Sequence, residues 1–236
     1  MWTSKAATSY ILPGNGHLQP YCREILHGLR NARNHATGLR TMGVTSSLGG
    51  EGVSTLAANL AIAAAENGTG KVLLVDTHLA RPILHAVFGL PRSPGLVDLL
   101  RERPPVDLAH PVTGLPHLWL LTAGKTSNAA HADVDIASLP EHVESLKCAY
   151  DCLIFDLPPL EESVVPPTLF SLLEGVLLVT ESERVQRRSL WRSKCALEGA
   201  GANILGVVVN KQRQYLPRWL DNILPARSQY RPRQPR

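Results

Sequence analysis

Residues 46–55, Ser46-Ser47-Leu48-Gly49-Gly50-Glu51-Gly52-Val53-Ser54-Thr55, hold the densest chemistry in this chain. They join a short apolar run to a helical one. Three glycines let the backbone turn tightly, so that successive N–H groups face one concavity. A helix starting near Ser54 adds the positive end of its dipole. A loop of this kind between strand and helix binds phosphate through Gly49, Gly50, Glu51, Gly52, Val53, Ser54 and Thr55, and the Ser54 hydroxyl is suited to Mg²⁺. The alternative is that Gly49, Gly50, Glu51 and Gly52 form only a turn.

One element of that chemistry is missing. Phosphate-binding loops place a lysine before the hydroxyl residue, where it reaches the β- and γ-phosphates. Val53 stands there. The variant loop of partition and septum-positioning ATPases adds a second lysine at its start, and that position is Leu48. A lost electrostatic donor costs about 3–4 kcal/mol of transition-state stabilisation. Backbone amides alone can still hold a nucleotide weakly.

The surrounding elements must place this loop at the end of a strand. Residues 42–46 read as a short apolar strand, and 54–66 as a helix ended by Asn67-Gly68-Thr69-Gly70. Further strands are expected at 71–76 (KVLLVD), 118–122, 152–156 (CLIFD), 175–180 (GVLLVT) and 203–210 (NILGVVVN), with helices at 141–149 and 184–198. These strands are continuous apolar runs, the pattern of strands covered on both faces. Alternation with helices predicts an α/β fold, a doubly wound, mostly parallel sheet flanked by helices in a single domain. Residues 1–18 read as an N-terminal extension, 19–211 as the α/β domain, and 212–236 as a basic Pro/Arg-rich tail in which order fades after Leu224. Residues 101–111 and 124–133 read as surface loops. No internal repeat is visible.

Composition narrows the classes. The chain has 236 residues, 44% hydrophobic and 19% charged, which suits one packed core rather than a disordered chain. No apolar run reaches the roughly 20 residues of a membrane span, and residues 1–10 lack a secretory apolar segment, so a cytoplasmic location is expected. Cys22, Cys148, Cys152 and Cys195 lack a second pair at metal-ligand spacing and read as free thiols. The net charge is +4. From Lys211 onward, seven basic residues face one acid, so the remainder of the chain carries −2. A basic tail can touch an anionic surface, or simply be solvated. Trp2, Trp119, Trp191 and Trp219 form no ladder for stacking bases, and no specific nucleic acid is expected. Trp119 reads as core. Trp219, with Leu216 and Leu220, reads as a short amphipathic helix that docks on the body or lies at a membrane surface, docking being favoured. Glu161 and Glu162 read as a helix start, favourable to its dipole.

Several motifs in order carry a family resemblance. The run SSLGGEGVSTLAANLA resembles the Walker A motif of the bacterial tyrosine kinases, the autokinases of capsule and exopolysaccharide systems within the SIMIBI class of P-loop proteins. Residues 71–82 (KVLLVDTHLARP) resemble its Walker A′ motif, Asp-x-Asp-x-x-Arg-Pro. Residues 88–100 resemble the segment that follows it. Residues 150–159 (YDCLIFDLPP) resemble its Walker B strand and Pro pair, 199–210 its last core strand, and 21–30 its first helix. The resemblance extends from about Gln19 to Leu220.

That resemblance implies a P-loop NTPase-like fold that binds ATP or ADP with Mg²⁺. Asp76 and Asp156 would be the catalytic carboxylates, and Ser54, Asp76 and Asp156 would hold the metal. Asn210 would lie near the adenine, and Arg81 is a candidate to replace the lost lysine. It also implies a membrane-embedded polysaccharide chain-length or export protein as partner, recruitment to the inner face of the plasma membrane, and a homo-oligomer. The departures are Val53, His78 at the second A′ aspartate, Leu157 at a hydroxyl position after Walker B, and a tail with only Tyr215 and Tyr230 in place of a tyrosine cluster. His78 is also the only histidine within a motif, although a structural role suits a lone imidazole better than metal binding. Three readings follow: a regulatory relative with weak or no catalysis (a pseudokinase), an active ATP-dependent tyrosine autokinase, and a partition-type positioning ATPase, which Leu48 opposes.

Overall fold

The computed structural model describes residues 8–13, 18–32, 39–68, 70–101, 108–125, 136–162, 165–184 and 187–212. In chain order the elements are β1 (Thr8–Pro13), α1 (Gln19–Ala32), β2 (Thr41–Ser46), α2 (Val53–Glu66), β3 (Val72–Asp76), α3 (Leu84–Val87), α4 (Leu96–Arg101), β4 (His110–Pro111), β5 (Leu118–Leu121), a 3₁₀ turn (Ile136–Ser138), α5 (Leu139–Ala149), β6 (Cys152–Asp156), α6 (Pro167–Leu172), β7 (Gly175–Glu181), α7 (Arg187–Gly199) and β8 (Ile204–Gln212). The strands form one sheet in the order β1-β8-β7-β2-β6-β3-β5-β4. Every pairing is parallel except β4 against β5.

The apolar runs explain the layering. Side chains alternate across a strand, so Val72, Leu74, Ile154, Leu177 and Val179 join one cluster, covered by Cys22, Ile25 and Leu29 of α1 and Leu56 and Leu60 of α2. Leu73, Val75, Leu153, Phe155, Val176 and Leu178 join the other, covered by Leu96 and Val97 of α4, Leu139 and Val143 of α5, Leu169 and Phe170 of α6, and Leu197 of α7. A fully buried side chain of this size contributes about 1.5–3 kcal/mol. The expected doubly wound sheet with helices on both faces is therefore present.

Several elements differ from the sequence expectation. Thr8–Pro13, within the expected N-terminal extension, pairs in parallel with β8 from Thr8↔Gly206 to Ile11↔Val209. An edge strand needs no long apolar run, which is why TSYILP carries no strand signal. His110 and Pro111 form a two-residue strand inside an expected loop. Helices α3, α4 and α6 are four to six residues long, too short for periodicity to show. Glu161 and Glu162 lie in a turn, not at a helix start, because the next helix begins only at Pro167. Trp119 is half-buried rather than core, packed edge-on to Tyr150 at 5.9 Å with the Lys71 ammonium 5.7 Å from its ring centre. Leu216, Trp219, Leu220 and the rest of the basic tail lie outside the described residues. The four cysteines are free, and burial pushes the Cys22 and Cys152 thiols up to about 12. Among the described residues no helix is long and apolar enough to cross a membrane.

The connections reverse direction around β2, which lies between β6 and β7. Ligands of open α/β sheets bind outside the carboxyl ends of the strands at such a point. The 46–55 loop, Asp76, Asp156 and Asn210 all sit at those ends.

Candidate functional site

The loop after β2 is braced from four directions. Leu160 N–H donates to the Ser46 carbonyl at 2.9 Å, and the Ser193 hydroxyl of α7 donates to Ser47 Oγ at 2.8 Å. Glu51 is fully buried. Its carboxylate accepts the Leu48 N–H at 2.8 Å and the Glu181 N–H of β7 at 2.8 Å. Its carbonyl accepts Asn210 Nδ2 of β8 at 2.9 Å, while Asn210 Oδ1 accepts the Lys211 N–H at 2.8 Å. A buried carboxylate with two amide donors is well satisfied. Glu51 thus positions the loop with its side chain.

The loop presents its amides outward. Among the described residues the backbone N–H groups of residues 49–55 have no acceptor. Helix α2 begins here with Gly52 as its cap at φ 92° and no side-chain capping bond. Buried amides are nearly always paired, so a run of unpaired ones at a helix start forms an anion cradle. Gly52 is required twice: its φ is left-handed, and a Cβ there would collide with the Asn210 amide. Gly52→Ala is expected to lower stability by about 2–3 kcal/mol, measured by denaturant unfolding, and to weaken anion binding by displacing Asn210.

Two carboxylates face the cradle from neighbouring strands. Asp76 of β3 and Asp156 of β6 are register partners, and both are fully buried. Asp76 Oδ1 accepts the His78 N–H at 3.0 Å. Asp76 Oδ2 and both Asp156 oxygens have no hydrogen-bond partner. Burial pushes the Asp156 carboxyl up to about 8, with the negative Asp76 beside it adding to the rise and the nearby Ser54 hydroxyl opposing it. Burial pushes Asp76 up to about 6, against the amides of His78, Leu84 and Ile83 and the charge of Arg92. The orphaned oxygens of Asp156, near the Ser54 hydroxyl, and of its register partner Asp76 form a hard oxygen donor set, which fits Mg²⁺.

The sites of the departures are equally defined. Val53 packs into the first apolar cluster, 9% exposed. Leu157 is fully buried in the second, and Gly43 makes room for it, since a Cβ there would lie 2.7 Å from Leu157 Cδ1. His78 Nδ1 accepts the Arg81 N–H at 3.3 Å, and burial holds the imidazole below the usual histidine range. Its metal-facing role is not carried by a cluster: among the described residues no group of three or more His, Cys, Asp or Glu side chains could hold a metal. Arg81 itself is exposed, and its guanidinium has no hydrogen bond among the described residues.

Sequence reasoning missed three charged groups at the loop. The Glu162 carboxylate lies 3.3 Å from the Cβ position of Gly49. Lys211 Nζ donates to the Gly50 carbonyl at 2.9 Å and contacts Glu181 Oε2 at 3.2 Å. Arg184 Nη1 donates to the same Glu181 oxygen at 3.1 Å. The Asn210-Lys211 pair at a strand end was the available signal. Its proximity to Gly50, 161 positions earlier, follows only from the strand order.

No family model matches the chain. The tyrosine-protein kinase YwqD of Bacillus subtilis (strain 168) is 30% identical over 175 residues, covering 74% of this chain and 73% of that protein. The crystal structure of the chimerical protein CapA2B2 superposes with a TM-score of 0.75 at 26% identity, covering 87% of this chain and 94% of that one. The septum site-determining protein MinD of Pyrococcus horikoshii OT3, solved with Mg-ADP, superposes with a TM-score of 0.62 at 27% identity, covering 78% and 77%. With 30% identity to YwqD over about three quarters of both proteins, and a doubly wound sheet that superposes on these structures, the chain belongs to the bacterial tyrosine-protein kinase family.

Proposed function

We propose that this chain is a nucleotide-binding, catalytically weakened member of its family that acts in capsule or exopolysaccharide assembly and export, as the regulatory partner of a membrane-embedded chain-length or export protein. The observation that carries the proposal is a complete amide cradle and carboxylate pair beside an apolar Val53 buried where the lysine belongs. Ser54, Asp76 and Asp156 would hold Mg²⁺, which when bound neutralises phosphate charge. The amides of residues 49–55 would bind the phosphates of ATP or ADP. Asn210 is committed to Glu51 and Lys211, so its part toward an adenine is to fix the loop.

Binding and catalysis separate physically here. Amides and a helix dipole favour any phosphate anion. Phosphoryl transfer also needs a cation where negative charge develops, and Val53 supplies none. His78, neutral and bonded to the Arg81 amide, replaces a carboxylate at the A′ motif. The purified protein incubated with Mg·ATP is expected to yield no phosphotyrosine on itself under conditions where an active family member labels itself fully. Self-labelling at a comparable rate would favour the autokinase reading, for which the retained Asp76 and Asp156 argue. The place of the protein at the inner face of the plasma membrane, and its assembly with copies of itself, belong to the same proposal.

A further inference from the structure

Two cations sit at the rim of the loop, on elements that the Walker motifs do not include. Lys211, the residue after Asn210, places Nζ on the Gly50 carbonyl, and Arg184, in the turn after β7, has Nη1 3.2 Å from the Cβ position of Gly50. Glu181 holds both, at 3.2 Å and 3.1 Å. Each cation remains about half exposed, with side-chain exposures of 44% and 49%.

The backbone at and beside these residues is conformationally costly. Lys211 has φ 55° and the neighbouring Glu183 φ 67°, the only non-glycine residues with positive φ among those described. A left-handed conformation costs roughly 1–2 kcal/mol for a residue with a Cβ. It persists when the surroundings over-determine it. Here they do. Asn210 Oδ1 takes the Lys211 N–H, Ser182 N–H donates to the Asn210 carbonyl, and Glu51 ties the end of β7 to the loop. The strained backbone keeps both side chains turned to the one loop that lacks its own lysine.

We propose that Lys211 and Arg184 form a cationic clamp for the phosphates of a bound nucleotide, in place of the lysine lost at Val53. The clamp rests on the nucleotide-binding reading of the cradle. Glu181 offsets one of the pair's two positive charges. An incoming polyphosphate carries more negative charge than one carboxylate and draws Lys211 from the Gly50 carbonyl, a neutral acceptor that gives it up at little cost. The clamp therefore supplies binding energy from outside the reacting position. That fits a protein that binds nucleotide without turning it over.

The test measures Mg·ADP and tripolyphosphate affinity by calorimetry for the parent, Lys211→Gln, Arg184→Gln and Lys211→Arg, with thermal unfolding as the folding control. A charge-assisted bond of this kind predicts a loss of about tenfold or more for Lys211→Gln, with both probes, recovered in Lys211→Arg. Parent affinity is also expected to fall with added salt more steeply than that of Lys211→Gln. Binding by the parent that Lys211→Gln and Arg184→Gln leave unchanged would overturn the clamp and leave the nucleotide reading standing. A parent that binds neither probe would overturn both.

Discussion

Asp156→Asn is expected to stabilise the metal-free protein at pH 8 by an amount on the order of 3 kcal/mol, and to remove its response to Mg²⁺. Asp156 is fully buried with neither oxygen hydrogen-bonded, beside a second buried carboxylate. Its carboxyl is pushed from the ordinary 3.8 up to about 8, by burial first and by Asp76 second. A carboxyl with a raised folded-state pKa binds its proton more tightly in the folded chain. Its favourable contribution is complete below about 4 and is lost as pH rises to about 8. Asp76, raised to about 6 by burial, acts in the same direction over the lower part of that window. The metal-free parent is therefore expected to lose thermal stability steadily from pH 5 to pH 8. Mg²⁺ reverses that loss in the parent by pairing the charge. Asparagine keeps the shape, removes the charge, and can donate to the Ser54 hydroxyl, so the variant is expected to be flat in pH over the upper half of the window and indifferent to the metal. Thermal unfolding with and without Mg²⁺ at four pH values measures this. A parent whose stability rises toward pH 8 without metal would contradict the paired-carboxylate site.

Val53→Lys is expected to tighten Mg·ATP binding by at least about tenfold and to bring ADP release above the protein-free rate, which the parent does not exceed. Position 53 starts the first turn of α2, directly after Gly52 of the loop. Valine there packs on the apolar cluster. A lysine can lay its stem over the same surface and carry its ammonium to the cradle, at a stability cost of about 1 kcal/mol for lost packing. Calorimetry and ADP release measure the two effects. The Val53→Lys, His78→Asp double variant is expected to exceed the single one in turnover but not in affinity, because the second change restores a carboxylate at the metal rather than a phosphate contact. Equal turnover in parent and Val53→Lys would show that the lysine position does not limit this site.

Much of this was legible in the residues. The apolar runs KVLLVD, CLIFD and GVLLVT announced buried parallel strands because burial on both faces leaves no polar alternation. The glycine spacing announced the loop because tight turns and close approach need that residue. Asp76 and Asp156 were legible as strand-end acids in their motifs. Their mutual register and orphaned oxygens were not, since these depend on β3 and β6 being neighbours. Thr8–Pro13 and His110–Pro111 were invisible for a related reason: edge strands are held by backbone pairing and carry little side-chain signal. Glu51, Arg184 and Lys211 show the same limit at the site. Each meets a distant segment brought close by strand order, Glu51 the Glu181 amide of β7, and Lys211 and Arg184 the loop at Gly50. Arg81, by contrast, was proposed from its motif position and turns out to be exposed in the turn after β3.

On the proposed function, this loop binds nucleotide without turning it over. A calorimetric titration of the unmodified protein with ATP, with and without Mg²⁺ and with ADP release followed in the same sample, tests it most directly. Saturable binding that Mg²⁺ strengthens is expected, with no ADP released beyond the rate in protein-free buffer. No binding at saturating ATP, or binding accompanied by sustained ADP release, would contradict it.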